Sequence, residues 1–196
     1  LDIGNWGSCI FRQAPASSFA APTGGAAPRN AVVRNFAFVI ADWNAAKVAA
    51  ALSARGLTPV ADNDGGFESF HVKDPDGWDL QICNDKGLSA ARKTPATATW
   101  SVPPPFGPTG WHTVWLDHMS FRVTNYKESA SFYANLMGWQ RTYDEGTQNE
   151  MMVGDVGDIL VRGGNPFAPA PAGAPAVRSA MVDHTSFGIS PWDVEA

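Results

Sequence analysis

Two histidines in closely similar segments are the residues of this sequence best suited to bind a metal ion. His118 stands in Leu116–Val123 (LDHMSFRV), and His184 stands in Val182–Ile189 (VDHTSFGI). A neutral imidazole is a good ligand for zinc, iron, nickel or manganese. The alternative for each histidine is a cavity-facing side chain that forms hydrogen bonds without a metal. The repeated pattern makes both residues candidates for the same kind of site.

The alternation of residue types along these two segments is typical of β-strands. Successive side chains of a strand point to opposite faces of the sheet. One face of each segment is polar and suited to line a cavity, and it carries candidate pocket residues beside the histidines: Ser120, Arg122 and Ser186. The opposite face is apolar, and we expect a helix to cover it; in the first segment it carries Met119, Phe121 and Val123.

Two further side chains are candidates for a role in the same cavity. Glu150 lies in a predicted strand, where it would serve as a general base or a further ligand; the alternative is a solvated charge at the strand edge. His71 lies between Phe70 and Val72 in another predicted strand. It is a candidate pocket residue, although a structural histidine is the favoured alternative.

The composition excludes several classes of function. Fourteen Lys and Arg against 19 Asp and Glu give a net charge of −5, which argues against nucleic-acid binding. No apolar run approaches the roughly 20 residues of a membrane-spanning helix. Cys9 and Cys83 are too few for a disulfide framework or a thiolate zinc site. The 196 residues therefore indicate a mildly acidic globular protein that acts on something small.

The sequence contains an internal repeat with a long period. Gly4–Arg12 (GNWGSCIFR) resembles Gly154–Arg162 (GDVGDILVR), and Val33–Ile40 matches Val182–Ile189 at nearly the same offset. We therefore expect the chain to hold the end of one long repeat and the beginning of the next. On this interpretation it is a piece, or the ordered part, of something longer.

A shorter βαβββ unit occurs twice within that period. The first unit is predicted as a strand, a helix ended by Gly56 and three strands: Val33–Ile40, Trp43–Arg55, Thr58–Ala61, Phe67–Lys73 and Trp78–Cys83. The second unit has the same order: Trp115–Val123, Tyr126–Met137, Trp139–Tyr143, Gln148–Val153 and Asp158–Arg162. Asn125 and Glu128 have capping-box spacing at the start of the second helix, and Gly138 ends it.

The predicted organisation follows from these units and from the Pro-rich stretches between them. The two complete modules are 32–85 and 113–164. The other parts are the tail of a preceding module, a Pro/Ala/Gly-rich loop, a linker, a second loop and the head of a following module: 1–12, 13–31, 86–112, 165–180 and 181–196.

Three motifs of the chain resemble the vicinal oxygen chelate superfamily, which includes glyoxalases, extradiol dioxygenases and bleomycin-resistance proteins. Leu116–Val123 followed by Ser131–Trp139 resembles the opening of such a module. Phe70–Ile82 resembles its closing hairpin, and Val182–Ile189 resembles another opening strand. The resemblance implies an α+β fold in which paired βαβββ modules form a cupped, barrel-like mixed sheet with helices outside.

The resemblance also implies a divalent metal ion (Fe, Mn, Zn or Ni) held by side chains of first and last strands. The implied ligands are His118, His184 and Gln81, and Gln81 stands where the family usually has Glu. Asn35, an implied substrate contact, stands where the corresponding histidine would be. We therefore expect a competent site on the two histidines and an altered one in the first unit.

Two functions remain open from the sequence. The first is a divalent-metal-dependent enzyme, of lyase or isomerase type or a dioxygenase, acting on a small oxygenated substrate. The alternative is a non-catalytic small-molecule-binding protein of the resistance type. We expect no nucleic-acid or membrane partner, and either a homo-oligomer or an exchange of modules between copies. The sequence indicates a soluble protein but no compartment; similar tandem proteins often carry export signals, and none is visible.

Overall fold

The computed structural model describes residues 7, 9, 33–63, 67–86, 106–163, 178 and 180–192. Most of the predicted tail 1–12, the loop 13–31 and most of the loop 165–180 lie outside the described residues. So does most of the predicted linker 86–112, although the last residue of that linker already belongs to a strand. The turn residues 64–66 are likewise not described.

The described residues form two βαβββ units followed by one more strand. The first unit consists of β1 (Asn35–Val39), α1 (Ala45–Ser53), β2 (Val60–Asp62), β3 (Ser69–Lys73) and β4 (Asp79–Cys83). The second consists of β5 (His112–Val123), α2 (Tyr126–Met137), β6 (Gln140–Asp144), β7 (Gln148–Val153) and β8 (Gly157–Gly163). The additional strand is β9 (Met181–Ser190).

The strands form two mixed sheets, one in each unit. The four-stranded sheet has the order β1-β4-β3-β2, and the five-stranded sheet has the order β6-β7-β8-β5-β9. In both units the first strand runs parallel to the last, β1 beside β4 and β5 beside β8. Strand β9 pairs antiparallel with β5. The fold is α+β as predicted, and the described strands do not close into a barrel.

The helix ends follow the signals in the sequence. Helix α2 has the predicted bounds, because Asn125 accepts a hydrogen bond from Glu128 N at 3.3 Å and Gly138 adopts the left-handed conformation at φ 73°. Helix α1 is shorter than predicted and begins after Asn44, whose side chain caps Lys47 N. Neither described helix has the length and apolar character needed to cross a bilayer.

The apolar faces of the two sheets share one core. The Phe121 ring lies 5.0 Å from the Phe36 ring and 5.7 Å from the Trp78 ring, both of which belong to the first unit. Tyr133 of α2 covers the other side of Phe121, with 6.4 Å between ring centroids. The apolar face of β5 is therefore covered partly by helix α2, as predicted, and partly by the sheet of the first unit. Since side chains alternate along a strand, the polar faces of the two sheets lie on opposite sides of this core.

A polar contact between the units accompanies the shared core. The turn after β3 carries two buried carboxylates, Asp74 and Asp76. Tyr133 Oη donates to Asp74 Oδ2 at 3.0 Å, and Thr124 N donates to Asp76 Oδ2 at 2.9 Å. Burial raises the pKa of Asp74, although the hydrogen bonds from Trp78 N and Tyr133 oppose the rise. This turn therefore attaches the first unit to the residue that follows β5 and to a side chain within α2.

Candidate metal centre

The pairing of β5 with β9 brings the two predicted histidine ligands together. His118 lies opposite Ser186 and Ser120 lies opposite His184, so the imidazoles are diagonal neighbours on one face. Their Nε2 atoms are 2.9 Å apart, and the rings meet edge to face with centroids 5.0 Å apart. The side chain of His118 is 21% exposed and that of His184 is 44% exposed, so the pair is open to small ligands.

A carboxylate holds the other nitrogen of each ring. Asp117 Oδ2 lies 2.7 Å from His118 Nδ1, and Asp183 Oδ2 lies 3.1 Å from His184 Nδ1. A carboxylate accepts a hydrogen bond, so each Nδ1 carries the proton and each Nε2 presents a lone pair. Two lone pairs directed at each other in this way are suited to bind a cation.

The donor set fits part of a divalent metal site. Two imidazole nitrogens on one face would be suitable ligands for a divalent metal ion. Carboxylates that orient metal-binding imidazoles through Nδ1 are the usual outer partners of such sites. Within the described ranges, however, no group of three or more His, Cys, Asp or Glu side chains is arranged to hold a metal. The described residues thus supply two ligands.

Arg122 fixes one of the orienting carboxylates. Its Nε donates to Asp183 Oδ1 at 3.0 Å, while the other oxygen of Asp183 faces His184. The hydrogen bond from Arg122 is the largest cause that lowers the pKa of Asp183, and the one to His184 adds to it. Arg122, predicted as a pocket residue, therefore acts on the histidine pair through Asp183.

Two carboxyl groups lie on the same polar face beside the histidines. Asp158 of β8 is the register partner of His118, and Glu150 of β7 faces the same side one strand further. Burial, followed by a hydrogen bond with Glu150 and by the charges of Glu150 and Asp117, raises the pKa of Asp158 to about 6. Thr142 Oγ1 donates to Glu150 Oε2 at 2.9 Å. Asp158 was not predicted as a site residue. The available signal in the sequence was its position in the last strand of its unit, which is equivalent to that of Asp79 in β4.

The two serines predicted for the pocket lie in the same ladder. Ser120 is fully buried beside His184, and its Oγ has no hydrogen-bond partner among the residues that the structure describes. Ser186 is half-buried and lies opposite His118. The predicted residues of β5, β7 and β9 therefore share one polar face.

Gln81 and Asn35 lie in the first unit, away from the histidine pair. Both belong to the four-stranded sheet, on the face opposite the shared core. Asn35 Nδ2 donates to Gln81 Oε1 at 2.9 Å, and Gln81 Nε2 donates to Ser69 Oγ at 2.8 Å. Since the polar faces of the two sheets lie on opposite sides of the core, Gln81 is not brought to the histidine pair.

His71 has the contacts of a structural histidine. Its Nδ1 lies 3.0 Å from Asp79 Oδ1, and its Nε2 lies 3.1 Å from Asp62 Oδ2. Both ring nitrogens are thus held within the four-stranded sheet, which leaves none directed at a ligand. The predicted pocket role of His71 gains no support, and its favoured alternative fits.

No family model and no curated protein matches the chain. Three solved structures of similar fold are dioxygenases. A variant of homoprotocatechuate 2,3-dioxygenase from Brevibacterium fuscum has 18% identity and a TM-score of 0.46, over 82% of this chain and 42% of that one. The halotolerant catechol dioxygenase BphC has 12% identity and a TM-score of 0.45, over 67% of this chain and 46% of that one.

The third is 2,2',3-trihydroxybiphenyl 1,2-dioxygenase from Sphingomonas wittichii, with 12% identity and a TM-score of 0.43, over 78% of this chain and 52% of that one. The chain therefore spans about half the length of these structures. The likeness concerns the fold alone.

Proposed function

We propose that His118 and His184 bind a divalent metal ion and that the surrounding polar face receives a small substrate with two adjacent oxygens. The observation that carries the proposal is the 2.9 Å separation of the two Nε2 atoms, with each Nδ1 held by a carboxylate. A bound metal ion would polarise the substrate oxygens as a Lewis acid. Water and substrate oxygens are expected among the remaining ligands.

The side chains around the pair have separate roles in this proposal. Asp117 and Asp183 keep the protons on Nδ1, so that both Nε2 atoms remain available as ligands. Arg122 holds Asp183 in place and keeps it ionised. Glu150 is the candidate general base, because its carboxylate lies on the same face within reach of a bound molecule.

Proton transfer on an oxygenated substrate, as in an isomerase or lyase, is the reaction that these groups favour. The support is the presence of two carboxyl groups, Glu150 and Asp158, beside the histidines. Ring opening of a catechol-type substrate would consume O2. An oxygen electrode therefore separates the two reactions: turnover of a hydroxylated carbonyl compound without O2 uptake supports proton transfer.

The second candidate is a binding protein that uses no metal. The specific observation is that the same Nε2–Nε2 contact is a hydrogen bond when one ring carries a proton there. The pair is then satisfied without a metal ion, and the polar face serves only to hold a small molecule.

Metal analysis of protein purified without chelator separates the two candidates. The enzyme proposal expects about one equivalent of transition metal per chain, lost in His118→Ala and in His184→Ala. His112→Ala is the matched control, because His112 begins β5 and is exposed. A folded wild-type protein that takes up no metal from Fe, Mn, Zn or Ni solutions would contradict the enzyme proposal and favour the binding protein.

A further inference from the structure

Two arginines stand side by side on the polar face of the five-stranded sheet. Arg122 of β5 and Arg162 of β8 are register partners, so their side chains leave the same face of neighbouring strands, which lie about 4.8 Å apart. Like charges directly opposite each other destabilise a sheet. A negative charge nearby is therefore needed to compensate them.

Only one of the two arginines has such a partner. Arg122 Nε donates to Asp183 Oδ1 at 3.0 Å. Arg162 Nε is buried and has no hydrogen-bond partner in the part of the chain that the structure describes. The arginine ion pairs among the described residues involve Arg122 and Arg178, and not Arg162. Since a guanidinium stays protonated in proteins, Arg162 keeps an uncompensated positive charge and an unused donor.

The acceptors closest to Arg162 in the sheet are engaged elsewhere. Gln148, its register partner on β7, directs its side chain to Glu145, to which Nε2 donates a hydrogen bond. Glu150 accepts a hydrogen bond from Thr142 and shares another with Asp158. Arg162 as a whole is half-buried, so its guanidinium remains open to a bound molecule.

The position of Arg162 relative to the histidines sets the length of a molecule that contacts both. Residues two apart on a strand share a face, so rows of side chains cross the face at intervals of about 6.6 Å. His184 lies opposite Ser120, so the two candidate metal ligands belong to the first and second rows, and the arginines lie about 10 Å further along the strands. The three rows are His118–Asp158, Ser120–Leu160 and Arg122–Arg162.

We propose that Arg162 binds a carboxylate of the substrate, which therefore carries two adjacent oxygens at one end and a carboxylate at the other. The assignment of the oxygens rests on the function proposed above for the histidine pair. A guanidinium presents paired donors in a plane, a geometry that matches a carboxylate. The carbon skeleton between the two ends lies over Leu160, the apolar residue of the middle row.

The charge of the site favours a carboxylate over a phosphate. Asp183 already neutralises Arg122, so one positive charge of the arginine row remains. Glu150 and Asp158 add carboxyl groups on the same face. A single negative charge balances Arg162, whereas a phosphate monoester carries nearly two at neutral pH.

Two probes that differ by one carboxylate, 3,4-dihydroxybenzoate and catechol, test the proposal on zinc-loaded protein. Calorimetric titration measures the ratio of their affinities. We expect the preference for 3,4-dihydroxybenzoate to fall about tenfold in Arg162→Gln, since a charge-assisted hydrogen bond is lost, while the affinity for catechol stays that of the wild type. Arg162→Lys should retain part of the preference, because it keeps the charge without the paired donors.

Arg141→Gln is the matched control. Arg141 is an exposed arginine of β6 in the same sheet, and its register partner Met151 belongs to the buried core, so it leaves the opposite face. Its variant should keep the full preference for 3,4-dihydroxybenzoate. An unchanged preference in Arg162→Gln, or an equal loss in Arg141→Gln, would overturn the assignment of Arg162.

Benzoate added to metal-free protein measures the carboxylate site without the metal. Chemical-shift changes of the β8 amides should report binding that weakens at least tenfold in Arg162→Gln. Protein that takes up no zinc but binds benzoate through Arg162 would contradict the proposed metal function and support the carboxylate site. Protein that binds zinc and catechol, with the same benzoate affinity in Arg162→Gln, would do the reverse. Tighter binding of phenyl phosphate than of benzoate would overturn the choice of a carboxylate.

Discussion

His118 and His184 face each other through Nε2 atoms 2.9 Å apart, although 66 positions separate them in the chain. The contact depends on the antiparallel pairing of β5 with β9, which places the two imidazoles diagonally on one face. Each Nδ1 faces a carboxylate, so that the Nε2 atoms are the ring nitrogens directed at each other.

The orienting carboxylates should contribute to metal affinity without binding the ion. In Asp117→Asn and in Asp183→Asn, the amide no longer fixes the proton on Nδ1, and we expect affinity for Zn or Mn to fall by about 10–100-fold. Competition with a metal-binding dye measures the change. Asp155→Asn, in the exposed turn before β8, is the control and should keep the wild-type affinity. Equal affinities in all three variants would contradict the role assigned to the two carboxylates.

Gln81 should matter for stability and not for metal binding. Gln81→Leu removes the acceptor of Asn35 Nδ2 and a partner of Ser69, both within the four-stranded sheet. Because Gln81 is only 7% exposed, the unpaired groups should lower the free energy of unfolding by about 1–3 kcal/mol. Urea unfolding measures the loss, and metal content should equal that of the wild type. Loss of metal with an intact fold would return Gln81 to the ligand set.

The shared core should make the two units unfold together. Phe121 contacts both units through Phe36 and Tyr133, and Phe121→Ala should cost about 3–5 kcal/mol. We expect a single transition when unfolding is followed by tryptophan fluorescence and by circular dichroism. Phe106→Ala, at a side chain that is 73% exposed, should change the free energy of unfolding by less than about 0.5 kcal/mol. Two separate transitions in the wild type would argue against a common core.

Asp158 should make metal-free protein less stable as the pH rises from about 4 to about 6. Its pKa is about 6 in the folded protein and about 3.9 in an unfolded chain, so the folded state holds more protons in this interval. Stability therefore falls with rising pH, and the loss persists above pH 6. Asp158→Asn should match the wild-type melting temperature near pH 4 and exceed it at pH 7. A difference that is the same at every pH would contradict this assignment.

Local structure was largely predictable because its determinants are close together in the chain. Helix α2 has the predicted bounds, since Asn125 and Gly138 act within one turn of its ends. The first helix begins two residues later than predicted, because the side chain of Asn44 caps it. Alternation also indicated which side chains share a face with His118.

The relation between the sheets could not be predicted from alternation. The apolar face that carries Phe121 has to be buried. The sequence pattern does not show whether a helix or another sheet buries it, and in the structure both contribute. Gln81 was named as a ligand by the resemblance and not by alternation, and its hydrogen bonds with Asn35 and Ser69 lie within the four-stranded sheet. Asp158 was missed because its raised pKa depends on burial and then on Glu150, and both follow from the folded pairing of β7 with β8.

Each imidazole of the pair has its orienting carboxylate as the preceding residue in the chain, Asp117 before His118 and Asp183 before His184. Two consecutive residues of one strand thus provide both a candidate metal ligand and the carboxylate that orients it. The same dipeptide therefore occurs in β5 and in β9, and Arg122 of β5 holds the carboxylate that precedes His184. At the start of β1 the equivalent dipeptide is Arg34-Asn35, which has neither the carboxylate nor the imidazole, and the Asn35 amide donates a hydrogen bond within its own sheet.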